Sequence, residues 1–199
     1  MTSGSVCAAS GDSADTPRAN ILIIQSLIDR ASRDVIERAK VLPGTPVLLR
    51  VQPASDRWII EQALSSALLR AGCTVKTDSG TAGENSLAVG VQPLGISVGY
   101  GAAFRDGLFG TRRTPRTVNC VLAFVVTERN TGTIRLSRTV TETSSDTVEV
   151  GQIGQLEDPA SRTTQGVRPD DPLLDRIAEP LVIIGATGVI IYLFFHIRS

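Results

Sequence analysis

A run of fifteen residues without a charged side chain, Leu181–Phe195, limits what the end of this chain can fold into. With Pro180 before it and His196 and Ile197 after it, the apolar segment spans residues 180–197. As a helix it would be about 27 Å long, close to the ~30 Å hydrocarbon thickness of a bilayer. A buried C-terminal helix would fit the same length, but such a helix keeps a polar side and this segment has none. We therefore predict one C-terminal transmembrane helix.

The predicted anchor combines small and apolar side chains in its middle with aromatic side chains at its far end, where they would lie at the membrane interface. We expect it to depend on Leu181, Ile184, Gly185, Gly188, Ile191, Tyr192, Phe194 and Phe195. Three arginines precede the span (Arg162, Arg168 and Arg176) and one follows it (Arg198). The positive-inside rule therefore favours a cytoplasmic soluble domain.

Ahead of the anchor, the composition divides the chain into three parts. Residues 1–18 are small and polar, without the apolar segment of a signal peptide, so we expect a flexible leader. Residues 19–150 alternate apolar-periodic segments with turns, which is typical of a folded domain. Residues 151–179 are rich in Gly, Pro, Asp and Arg and predict a linker to the membrane.

Two segments of the domain have the three-and-four spacing of apolar residues that predicts amphipathic helices, residues 20–42 and 56–71. Ser55 is the predicted N-cap of the second helix, and Gly72 its left-handed C-terminal residue. Trp58, in the first turn, is predicted to pack this helix against a sheet; a ligand platform is the alternative.

The other apolar segments predict strands, and one of them carries a defect. The alternation from Leu87 to Tyr100 slips by one residue at Pro93, which predicts a bulge. Asn130–Gly132 predicts a hairpin turn. The predicted strands are Pro46–Val51, Cys73–Thr77, Leu87–Tyr100, Arg116–Thr127 and Thr133–Thr143, with Asp146–Val150 as an extension or a short further strand. The element order predicts an α+β fold, with two helices packed on one face of a mixed, mainly antiparallel sheet, plus the C-terminal transmembrane helix.

Four stretches of residues 47–148 carry a resemblance to a known family: VLLRV, DRWIIEQALSSALLRAGCTV, LAVGVQPLGISVGYG and NCVLAFVVTERNTGTIRLSRTV. This pattern resembles envelope-assembly domains of the curli-secretion CsgG type, whose relatives include the TolB N-terminal domain and the lipoprotein activators of penicillin-binding proteins. The resemblance implies a sheet closed by a hairpin, a bacterial and periplasmic setting, and an accessory or scaffolding role rather than pore formation.

One loop combines aromatic and basic side chains in the way that partner-binding surfaces do. Residues 104–116 join two predicted strands, and loops of this kind carry binding residues. The predicted contacts are Phe104, Arg105, Leu108, Phe109, Arg112, Arg113 and Arg116. An ordinary hairpin loop whose phenylalanines tuck under the sheet edge is the alternative.

The remaining composition argues against catalysis and nucleic-acid binding. The only histidine, His196, lies in the apolar tail, and the three cysteines have no metal-ligand spacing, so we predict no catalytic, metal or cofactor site. Cys73 and Cys120 are expected to be core thiols, with pairing as the alternative. Twenty basic and twenty acidic residues balance, which excludes the basic field of a nucleic-acid binder. The sequence favours a membrane-anchored module that binds the bilayer and other envelope proteins or itself; the alternative is a small-molecule or glycan sensor with a pocket between helix and sheet.

Overall fold

The structure, a computed structural model, describes residues 17–77, 83, 86–105, 107, 110–168, 184–185 and 187–194. Two long helices and seven strands make up most of this part. In chain order the elements are α1 (Asn20–Arg38), β1 (Pro46–Val51), α2 (Arg57–Arg70), β2 (Thr74–Lys76), β3 (Leu87–Tyr100), β4 (Phe104–Arg105), β5 (Arg112–Glu128), β6 (Ile134–Glu149), α3 (Ile153–Leu156) and β7 (Gly166–Val167). Short 3₁₀ turns at Val150–Gln152 and Arg162–Thr164 flank α3.

The first helix ends four residues earlier than the sequence predicts, at Arg38. Lys40 adopts a left-handed conformation with φ of 51°. The Lys40 amide then donates to the Glu37 carbonyl and the Val41 amide to the Ile36 carbonyl, each at 3.1 Å. This is a Schellman C-cap, a motif that usually uses glycine. The sequence did not reveal it because a lysine occupies the position.

The second helix begins and ends as predicted to within a residue, but its N-cap is different. Asp56, not Ser55, is the cap residue, and it adopts a left-handed conformation with φ of 55°. Its carboxylate bonds to a distant segment instead of to the helix amides. At the other end Gly72 has φ of 79°, as the sequence predicts.

The sheet is mixed, which confirms the predicted α+β class. β1 runs parallel to both β2 and β3, and β7 pairs in parallel with the far half of β3. The long β3–β5 and β5–β6 ladders are antiparallel. The register shift between Pro93 and Gly95 confirms the predicted bulge. The turn before β6, with Gly132 at φ of 69°, confirms the predicted hairpin.

The core lies between one face of the sheet and the two long helices. Both helices bury one apolar side against strand residues of a single phase, among them Val89, Leu122 and Phe124. Cys73 and Cys120 are both buried free thiols, as predicted. Trp58 is 51% exposed and is not part of this core, so the prediction that it packs the helix against the sheet is wrong.

The prediction of a linker from residue 151 is wrong for residues 151–168. Ile153, Leu156, Ser161 and Thr164 are all buried, and β7 joins the sheet. The segment thus adds a third, short helix to the two that the sequence predicts. Its Thr164 carbonyl accepts a hydrogen bond from Asn20 of α1, and Ser161 and Thr163 donate to Asp56, the N-cap of α2.

The tail predicted to cross the membrane is described only in part. Leu181 and Phe195 lie outside the described residues, whereas residues 184–185 and 187–194 are helical and exposed. Within the part of the chain that the structure describes, no helix has both the length and the apolarity needed for a membrane span.

Candidate interaction surface

The predicted partner-binding loop is the far end of the β3–β5 hairpin, and we call residues 104–113 the hairpin tip. β4 continues the ladder of β3 after a short interruption, with Phe104 opposite Arg113 and Arg105 opposite Arg112. Gly107, at φ of 80°, lies in the turn. The predicted contacts Leu108 and Phe109 lie outside the described residues.

The hairpin tip presents an aromatic ring among arginines. Phe104 is 48% exposed and Arg105 is exposed, while Arg112 and Arg113 are half-buried. Within the described residues, Arg105 and Arg113 form no ion pair. Cross-strand pairing brings Phe104 and Arg113 side by side on two hydrogen-bonded strands, so the tip offers a positively charged contact surface with an apolar centre.

Arg116 does not belong to this surface, which corrects the sequence prediction. Its side chain is completely buried. The guanidinium donates to Asp146 through Nε at 2.8 Å and through Nη2, and Nη1 donates to Asn20 Oδ1 at 2.7 Å and to the Arg18 carbonyl at 2.9 Å. A sequence signal was present, since Arg116 shares the alternation phase of Val118 and the other core-facing residues of β5.

The Arg116 cluster joins three separate parts of the chain. Asn20 Nδ2 donates to Tyr100 Oη at 3.0 Å and to the Thr164 carbonyl at 2.7 Å. Burial raises the pKa of the Tyr100 phenol, which keeps it a neutral hydrogen-bonding group. The start of α1, the end of β3 and the segment before β7 are therefore held by one buried polar network.

Asp56 forms a second connection to the same C-terminal segment. Its Oδ2 accepts hydrogen bonds from Ser161 Oγ at 2.7 Å, from Thr163 Oγ1 at 2.6 Å and from the Thr163 amide at 3.0 Å. The bonds from Thr163 and then Ser161 lower the pKa of the Asp56 carboxyl. Both polar clusters are saturated by their own partners, so they hold the fold together rather than offer reactive groups.

Within the described part of the chain, no helix packs along β3, β5 and β6 on the face of the sheet away from α1 and α2, and we call this face the open face. Its side chains are short and uncharged, and they are exposed or half-buried. They are Gly90, Gln92, Ser97, Thr117, Asn119, Val121, Ala123, Val125, Ser137, Thr139, Thr141 and Thr143. At one side of the open face a depression of about 520 Å³ lies between β1 and β5.

The outer edge of β6 is where a strand of a second chain could pair if the protein associates with itself through a sheet edge. β6 pairs with β5 alone among the described strands, so its other edge has free backbone groups. Arg30 of α1 reaches this edge: its Nη2 donates to the Thr143 carbonyl at 3.1 Å, and its Nε donates to Glu142 at 3.1 Å. A side chain that occupies an edge carbonyl interrupts the edge as a template for another strand.

Among the described residues, the space between the helices and the sheet is too small for the pocket of the alternative sensor function. The cavity there, between α1, α2 and the strands, measures about 10 Å³. That volume is no larger than about one water molecule needs. Among the described residues no group of three or more His, Cys, Asp or Glu side chains is placed to hold a metal ion.

Comparison with known proteins begins with two negative results. No protein-family model matches the chain. No curated protein matches it either.

Three solved structures resemble the chain at low identity. A minor lipoprotein from Acinetobacter baumannii is 15% identical over 55% of this chain and 69% of its own, with a TM-score of 0.33. A neuraminyllactose-binding hemagglutinin homologue from Helicobacter pylori is 12% identical over 53% and 66%, with a TM-score of 0.31. The LpoB C-terminal domain from Salmonella enterica is 10% identical over 59% and 93%, with a TM-score of 0.34. TM-scores this low do not establish a common fold, so no property of these proteins is carried over to this chain.

Proposed function

We propose that this chain is a non-enzymatic, single-pass membrane-anchored protein-interaction module of a bacterial cell-envelope assembly, secretion or transport system. Its α+β domain would hold the hairpin tip away from the bilayer and present it to a protein partner. The resemblance of residues 47–148 to CsgG-type domains supports the envelope setting.

The observation that carries the proposal is the exposed Phe104 on the hairpin tip beside Arg105 and Arg113, which form no ion pair within the described residues. Aromatic and arginine side chains supply most of the binding energy at protein interfaces. Two paired strands support these side chains, so little conformational entropy is lost when a partner binds. The arginines favour a partner that presents carboxylates around an apolar pocket.

Membrane anchoring is supported by the sequence of the tail. The uncharged run Leu181–Phe195 has apolar side chains on every side of a helix, which suits lipid better than a protein surface in water. A tether of this kind would confine the domain to the membrane surface, where even a weak partner contact gains from a high effective concentration.

The absence of catalysis is supported by the chemistry of the two described thiols. Burial raises the pKa of Cys73, and burial together with the nearby Glu142 raises the pKa of Cys120 to about 12. A thiol acts as a nucleophile only as the thiolate, so neither cysteine is activated at neutral pH.

Co-purification with tip variants tests the proposal. The full chain is extracted in mild detergent, and the proteins bound to it are compared for the wild type, the Phe104→Ser, Arg105→Ser double variant and an Ile134→Ser control. Ile134 is an exposed apolar residue, at 60% exposure, and it pairs with Thr127 at the opposite end of β5 from the tip, so the control removes a similar surface far from the tip.

We expect the double variant to lose at least nine-tenths of a specific protein partner while its circular dichroism stays unchanged, because both side chains are exposed. The Ile134→Ser control should retain the partner. Equal recovery of the partner by the double variant would exclude the tip as the interaction surface, and loss by both variants would point to a different contact.

A further inference from the structure

The depression of about 520 Å³ lies on the open face, and most of its lining comes from the central strands β1, β3 and β5. Gly90 of β3 lies between Arg50 of β1 and Val125 of β5 in one row across the sheet. Gln92 and Ala123 form the next row. Gln52 lies at the rim, and its backbone N–H donates to the Val91 carbonyl at 2.9 Å. The depression exists because Gly90 contributes no side chain to its row.

The charge of the depression is positive. Arg50 is exposed, and within the described residues its guanidinium has no hydrogen-bond or ion-pair partner. Arg57, also at the rim, is already paired with Glu61 at 2.7 Å. None of the described residues that line the depression is acidic. A guanidinium binds a carboxylate through two parallel hydrogen bonds, so Arg50 suits a ligand with a free carboxylate.

The other lining residues of the depression indicate which chemical groups the ligand carries besides its carboxylate. Gln52 and Gln92 carry side-chain amides, which can donate to a peptide carbonyl and accept from a peptide N–H. Gly90, Ala123 and Val125 give an apolar floor with room for methyl-sized groups. A volume of about 520 Å³ lies within the range of small-ligand sites. An inorganic anion would make no use of the apolar floor or of the amides.

From this arrangement we propose that the depression binds the carboxyl terminus of a peptide that ends in small aliphatic residues. Arg50 binds the terminal carboxylate, the two glutamines bind the adjoining peptide groups, and the last side chain lies on the floor over Gly90. This site is separate from the hairpin tip and does not depend on the function proposed for the tip.

Titration of the full chain in detergent micelles tests the site. The ¹⁵N-labelled protein is titrated with acetyl-trialanine, with the same peptide amidated at its C-terminus, and with sodium phosphate. The variants are Arg50→Gln, which removes the charge, and Gly90→Val, which fills the depression. A Cβ at Gly90 would meet only the Val125 carbonyl oxygen, at 3.7 Å, so this substitution introduces no clash at the Cβ. Gly95→Val and Arg135→Gln are controls elsewhere on β3 and β6.

We expect acetyl-trialanine to shift the amide signals of Gly90, Val91 and Ala123 in a saturable way. Amidation of the peptide or Arg50→Gln should raise the dissociation constant at least tenfold, Gly90→Val should abolish binding, and both controls should bind as the wild type does. The proposal is overturned if the free peptide causes no saturable shift, if amidation or Arg50→Gln leaves affinity unchanged, or if phosphate binds as tightly as the peptide.

Discussion

The Arg116 side chain and its hydrogen-bond partners connect more of the separate elements of the described fold than any other single residue discussed above. Its buried guanidinium contacts the start of α1 and the side chain of Asp146 on β6, and through Asn20 it connects with Tyr100 and Thr164. A buried charge is tolerated only when its hydrogen bonds are satisfied, and here they are. Asn20 and Thr164 are buried polar groups of the same kind.

Replacing Arg116 with methionine should lower the free energy of unfolding by about 2–4 kcal/mol, because Asn20 and the Arg18 carbonyl lose a buried donor. The loss should be near the lower end of this range if water hydrates the partly exposed Asp146 carboxylate in place of the guanidinium. Urea unfolding measures the effect. Arg135→Met is the matched control: its pair with Glu128 is on the surface, so it should cost less than about 1 kcal/mol. Equal losses in the two variants would contradict the central role of Arg116.

Asp56 should make stability depend on pH at the acid end. Its carboxyl has a pKa below the ordinary 3.8 in the folded state, because Thr163 and Ser161 donate to it. The resulting stabilisation is present above pH 3.8 and is lost as the pH falls through the lowered pKa. Asp56→Asn keeps a residue that tolerates the left-handed backbone. The difference in free energy of unfolding between the wild type and Asp56→Asn, measured in urea, should be largest at neutral pH and become smaller below pH 3.8. A difference that does not change with pH would contradict this assignment.

Among the elements, the segment from Val150 to Arg168 departs furthest from what its sequence suggests. It lacks apolar periodicity, so composition alone indicated a linker. It is ordered by hydrogen bonds from particular side chains, including Glu157 Oε1, which accepts from the Gly166 amide at 2.8 Å. Contacts between polar groups far apart in the chain leave no periodic signal. The two long helices and the strands β1, β2, β3 and β5 do leave one, and their bounds were predicted to within four residues.

Gly166→Ala should release this segment from the sheet. A Cβ at Gly166 would lie 2.2 Å from Tyr100 Cε2 and 2.6 Å from Cδ2, so the buried ring must move or β7 must leave. We expect faster amide hydrogen exchange across residues 157–168, with β5 unaffected. Gly154→Ala in α3 is the control, since a Cβ there meets nothing within 4 Å. Unchanged exchange in Gly166→Ala would show that β7 does not pack as described.

At the scale of the whole molecule, the two faces of the sheet are packed differently. Both long helices cover one face and fill it, whereas the open face and the hairpin tip are exposed or half-buried in the part that the structure describes. The sequence predicted this division into helices and sheet, because amphipathic periodicity reports which side of each element is buried. The composition of the arginine-rich stretch did not distinguish Arg116 from the exposed arginines of the tip; the alternation phase that Arg116 shares with Val118 was the signal that could have done so.

The most direct measurement of the central claim is photo-crosslinking from the hairpin tip of the full chain. Benzoylphenylalanine replaces Phe104, a substitution of one aromatic for another at an exposed site, and Ile134 carries the same group in the control. We predict a crosslinked protein of defined mass from position 104, absent from position 134 and lost when Arg105 is also changed to serine. Crosslinks to lipid alone, or the same products from both positions, would contradict a protein-binding tip.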